Sequence, residues 1–276
     1  MTVAHEVVGP TAAWSSWHVE PMVVLALVVG ASIYGAGLPR TRARISGSRV
    51  IAWYGGLAIA AVALLGPPDT AAHDLFSAHM IQHLVLILIV APLLVAGRPV
   101  RVMGSIVPRR ALRIAVRVVP ARLARSPVIV GIATAAALAS WHAPALYSAA
   151  VRLDLVHGLE HASFLATALA FWAIVLNHRA SAGARAALVF AVFLFGGGLG
   201  ALLTFTTTVL YPVHATGPVA WGLSPLADQQ LAGVIMWIPS GAIYVIAFGV
   251  LFLSWLRGLE ARFPARPPAG ERAADG

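Results

Sequence analysis

The sequence has no cysteine and no lysine, and only 11% of its 276 residues are charged. Without cysteine there is no disulfide, no thiolate metal site and no thiol nucleophile. Any metal must therefore be held by imidazole, thioether, carboxylate or carbonyl groups. Soluble domains carry about 25% charged residues, so the low charge excludes an ordinary soluble domain. Apolar residues take the place of charge. They make up 59% of the chain and gather into runs of about 20, the length that crosses a bilayer core at ~1.5 Å per helical residue. The sequence predicts an all-α, polytopic protein of the cell membrane.

Seven spans are predicted, at 20–38, 50–66, 74–96, 128–147, 154–177, 185–207 and 228–256. They form a seven-transmembrane-helix bundle over 20–256, preceded by an outer segment 1–19 and followed by a largely disordered tail 257–276 rich in proline and charge. The first span does not read as a signal peptide, because Glu20-Pro21 stands where a basic region should be. Of the 19 arginines, 18 fall at 40–49, 98–125, 179–185 and 257–272, which are alternate connections plus the tail, and only Arg152 falls between them. The positive-inside rule then predicts the N-terminus outside and the C-terminus in the cytoplasm. This asymmetry also explains the net charge of +9 without a nucleic-acid partner. Within the basic connection 97–127, Arg110, Arg113 and Arg117 share a helical face opposite Leu112, Val116 and Val119. That pattern predicts an amphipathic helix on anionic lipids of the inner leaflet. Gly196 and Gly200 have the G-x-x-x-G spacing of close helix packing. Trp14, Trp17, Trp141 and Trp221 suit an outer aromatic belt, with Trp53 and Trp255 at the inner one.

Nine of the ten histidines fall on the predicted outer side, and only His178, beside Arg179, is cytoplasmic. His73, His79 and His83 open the third span, His142 ends the fourth, and His157 and His161 open the fifth. His79 and His83 share a helix face one turn apart, as do His157 and His161. Asp154 and Glu160 accompany the second pair. If the two spans are neighbours, four imidazoles converge, and two His-x3-His pairs present nitrogens to one ion. Asp154, Glu160 and Asp74 are further ligands or hydrogen-bond acceptors that orient the imidazoles, although Asp74 and Asp228 equally suit helix caps. Met80 beside His79, and Met236 two turns into the last span, add thioethers. Imidazole plus thioether without thiolate points to copper. The expected metal set is His73, His79, His83, His142, Asp154, His157, Glu160, His161, Asp228 and Met236. His5, His18 and His214 read as ordinary exposed residues.

Catalytic motifs are missing: there is no G-x-S-x-G, phosphate loop or H-E-x-x-H. HGLEH at 157–161 has the spacing of the inverted zinc-protease motif, but it enters a membrane span where water access is poor. The expectation is that the chain is not an enzyme. A b-type haem takes one axial histidine from each of two helices, whereas paired histidines at one depth suit a compact ion better. A transport path needs ionisable groups through the full thickness, and here they stay in the outer half.

The segments HDLFSAHMIQHLVLILIVAPLLVAGRPVR (73–101), WHAPALYSAA (141–150), HGLEHASFLATALAFW (157–172) and DQQLAGVIMWIP (228–239) resemble the CtaG family of polytopic cytochrome c oxidase assembly factors. The matching residues are His79, Met80, Gln82, His83, Trp141, His142, Pro144, His157, Glu160, His161, Asp228 and Gln229. The resemblance implies a protein that helps to mature a haem-copper oxidase, by supplying or keeping copper, with an oxidase subunit or another assembly factor as partner.

Overall fold

The computed structural model describes residues 7–41, 44–108, 125–177 and 180–260, and every regular element among them is helical. The long helices are α1 (Pro21–Thr41), α2 (Gly47–Leu65), α3 (Pro67–Asp74), α4 (Phe76–Ala96), α5 (Pro127–Trp141), α6 (Pro144–Arg152), α7 (Asp154–Val175), α8 (Ala182–Phe205) and α9 (Pro225–Glu260). Among the described residues six stretches are long and apolar enough to cross a membrane, and a seventh span results if the bent pair α5–α6 counts as one. Ile51, Ile132, Phe205 and Ile246 are more than half exposed, as expected where the solvent is lipid. The amphipathic connection, the tail beyond Glu260, His5, His178 and Arg179 lie outside the described residues.

Helices α4, α7, α5, α8 and α9 close a ring in that order, and α2 packs α1 onto the outside of α4. Leu88, Phe171, Val189, Val192 and Tyr244 form the core inside the ring. Helices α8 and α9 approach closely because Gly200 and Gly233 lack side chains. A Cβ at Gly233 would lie 2.6 Å from Thr204 Oγ1 and 2.7 Å from the Gly200 carbonyl. The expected packing face is therefore shifted: Gly200 belongs to it, but a Cβ at Gly196 would meet nothing within 4 Å.

Three local breaks position the candidate site. The predicted third span is interrupted at Leu75, whose backbone is extended (φ −118°, ψ 126°). This places His73 on α3, off the helix that carries His79 and His83. The fourth span is likewise not continuous to 147. It stops at His142, and α6 bends away by 74°, because Pro144 offers no N–H and holds Ala143 extended (φ −68°, ψ 125°). The third break is a π-turn at Leu86–Val90. Here Ala91 N–H bonds to the Leu86 carbonyl and residue 92 is a proline, so the Ile87 carbonyl is left for Trp172 Nε1, 2.8 Å away. Trp53, expected in an aromatic belt, is instead buried and stacked on Tyr34 at 4.8 Å. Tyr34 in turn donates to the carbonyl of Gly97 in the G-R-P turn.

Candidate metal centre

The α4 and α7 helices are neighbours, so their paired histidines do meet. The ring of His79 lies 5.3 Å from His157 and 6.3 Å from His161, and His83 lies 5.2 Å from His161. Glu160 reaches between the pair on α4. Its Oε2 is 3.4 Å from His79 Nε2 and its Oε1 is 3.8 Å from His83 Nε2. One donor atom from each of the three residues lies within 4.8 Å of the other two, and all three side chains are buried.

The hydrogen bonding of this cluster is unusual. The buried atoms His79 Nε2, His83 Nδ1 and Nε2, His142 Nε2, His157 Nε2, His161 Nε2 and Glu160 Oε2 have no hydrogen-bond partner among the described residues. Each such atom costs about 1–3 kcal/mol when left unsatisfied, and buried polar groups are normally paired. A cation among them would satisfy several at once. Ligands about 2.0–2.1 Å from a tetrahedral ion stand about 3.3 Å apart; the 3.4 Å between Glu160 and His79 is close to that, and the 3.8 Å between Glu160 and His83 is longer. Tyr147 on α6 covers the group, with its ring 5.2 Å from His79, and Phe164 packs beneath at 4.7 Å from His83.

The other predicted ligands are distributed differently. His73 lies at the rim, with its ring 6.2 Å from His157 and its Nε2 4.0 Å from Asp69. His142 and Met236 are buried on the ring-centre side, where they and His83 wall a small cavity. Asp154 is exposed in the first turn of α7, away from the three-residue group. Asp228 is fully buried, and its carboxylate accepts from the backbone N–H groups of Phe76 (2.7 Å) and Ser77 (3.1 Å) and from the Ser77 hydroxyl. It caps the start of α4, where the helix dipole favours an anion. Asp74 also anchors, accepting from Gly9 N–H and Trp221 Nε1.

His214, read from the sequence as exposed, is buried. Its Nδ1 is 3.2 Å from the Asp74 carbonyl and its Nε2 is 2.7 Å from the Tyr147 hydroxyl. A carbonyl only accepts, so Nδ1 carries the proton and the tyrosine donates to Nε2. Burial is the main cause that pushes the His214 pKa down to about 4. Tyr211 donates to the His142 carbonyl at 2.8 Å, and burial raises its pKa. These two loop residues clasp α6 and the α5 break over the histidines. Sequence reasoning also missed Asp69, whose Oδ1 accepts from Gln82 Nε2 at 2.8 Å. That bond depends on the chain folding back between α2 and α4, which no local spacing announces.

A family model described as cytochrome c oxidase caa3 assembly factor matches residues 32–258. The curated relatives include an uncharacterized protein of Mycobacterium bovis and one of Mycobacterium tuberculosis, each 26% identical over 260 residues. The match covers 87% of this chain but only 39% of each relative, so the chain spans about two-fifths of their length. No solved structure matches.

Proposed function

The chain belongs to the cytochrome c oxidase caa3 assembly factor family, and from that premise we propose that it holds copper at His79, His83 and Glu160 for delivery to a haem-copper oxidase. The observation that carries this reading is the placement of Glu160 between two buried imidazoles with which it makes no hydrogen bond. His157 and His161 stand close enough to exchange for these ligands, and His73 at the rim provides a first contact. Imidazole and carboxylate bind copper without closing it off, which suits an ion that must be released. The arginine distribution supports an orientation with the histidines facing the outer compartment and the arginine end on the anionic inner leaflet. The receiving partner would then be an oxidase subunit that takes its copper from that side.

The test is metal analysis with an absorption spectrum on purified protein, before and after anaerobic loading with Cu(I). Copper retained through desalting, lost in His79→Ala/His83→Ala and accompanied by no Soret band, is the expected result. Wild-type protein that retains no copper, or a Soret band from bound haem, would overturn the reading.

A further inference from the structure

We propose a binding site for one anionic phospholipid in the cleft between α1 and α2, at the end of the bundle where the arginines gather. The site stands apart from the histidines and does not depend on the copper reading. It gives a defined place to the contact with anionic lipid drawn above from the arginine distribution.

The cleft has a volume of about 570 Å³, and its walls include Leu38 and Pro39 of α1, Ile45 of the connection, and Gly47, Val50 and Ile51 of α2. None of these residues carries a polar side chain. Sites that bury small organic ligands run to about 300–1,000 Å³, so the space suits part of an acyl chain. It stays open where α2 begins, because a Cβ at Gly47 would meet nothing within 4 Å. Ile51 is largely exposed on a membrane-spanning helix, which leaves the cleft accessible from the lipid.

The rim has the opposite character. Arg40 follows Pro39, Arg44 precedes Ile45 and Arg49 precedes Val50, so three arginines each adjoin a wall residue in the chain. No carboxylate occurs between Glu20 and Asp69, and no ion pair among the described residues involves these three arginines. The N-terminus of α2 adds the positive end of its dipole. The Ser46 side chain does not cap it, and its hydroxyl lies 2.9 Å from that of Ser48 instead.

An apolar slot with a basic rim fits a molecule that has a long apolar part and an anionic head. Guanidinium groups bind phosphate through paired N–H donors, and basic pockets between membrane helices hold anionic headgroups. A free phosphate would use the rim and leave the slot empty. A zwitterionic lipid would fill the slot but bring its own cation toward the arginines. An anionic phospholipid satisfies both parts, and it would brace α1, a helix exposed along most of its length.

The experiment delipidates purified full-length protein in detergent, adds phosphatidylglycerol or phosphatidylcholine with the same acyl chains, and counts bound lipids by native mass spectrometry. The first phosphatidylglycerol is expected to bind at least tenfold more tightly than phosphatidylcholine. Arg44→Gln/Arg49→Gln should hold one phosphatidylglycerol fewer per chain than wild type, whereas Arg152→Gln, on α6, should lose none. Gly47→Phe fills the slot while keeping every arginine, and should lose the same lipid at unchanged helical content. Equal lipid counts in wild type and these two slot and rim variants would overturn the inference, as would equal affinity for the zwitterionic lipid. Displacement of the lipid by millimolar inorganic phosphate would overturn it too, because that marks an anion site without recognition of the chain. None of these outcomes bears on the copper reading.

Discussion

Glu160 Oε2 stands 3.4 Å from His79 Nε2, and both atoms are buried without a hydrogen bond between them or to any other group among the described residues. In the apolar interior of a membrane protein, a carboxylate persists only where something repays its desolvation. A cation shared with the facing imidazoles, as proposed above, would do so.

Replacing Glu160 with Gln keeps the shape and removes the charge. Cu(I) affinity is expected to fall at least tenfold, about 1.4 kcal/mol, as read by competition with a chromophoric chelator. The helical content should stay unchanged. Unaltered affinity would show that the carboxylate is not a ligand.

The close approach of α8 and α9 distinguishes two glycines. Gly233→Ala drives a methyl group into Thr204 and the Gly200 carbonyl, and overpacking of this kind costs about 1–3 kcal/mol. Gly196→Ala meets nothing within 4 Å and should be neutral. Thermal midpoints in detergent should therefore drop for the first variant alone.

The His214 clasp makes stability depend on pH in one direction. The folded ring stays neutral down to about 4, chiefly through burial, against an ordinary value of 6.5. The unfolded chain therefore binds the proton first, so the stability this residue contributes is complete above pH 6.5 and is lost as the pH falls through 4. His214→Gln should flatten part of the wild-type decline in thermal midpoint across that window. Parallel pH curves for the two proteins would show that the clasp is not the titrating element.

The lack of cysteine makes the natural chain a clean background for mapping orientation. In intact cells, His18→Cys should react with an impermeant maleimide. Arg257→Cys should react only after the membrane is opened. The opposite labelling would reverse the assignment drawn from the arginines.

Much of this architecture was legible because it is local. Apolar runs marked the spans, and four-residue spacing paired His79 with His83 and His157 with His161, since a helix puts such residues on one face whatever surrounds it. The breaks were less legible. Pro144 was visible, but that the helix turns by 74° at His142 depends on α6 finding a place over the histidines. Likewise, Leu75 carries no sequence mark of the extended backbone that moves His73 to α3. The roles of the acidic residues were decided by contacts made far along the chain. Asp228 caps a helix that starts 152 residues before it, and Glu160, one of several carboxylates near the paired histidines, is the one that α4 and α7 bring between two imidazoles. His214 looked like a loop residue and became a buried clasp. The sequence by itself determined a helical membrane protein and the two histidine faces, because hydrophobicity and helix period act over neighbouring residues. Only the tertiary structure decided which carboxylate joins them and which polar atoms are left without partners, because both depend on the order in which the helices close their ring.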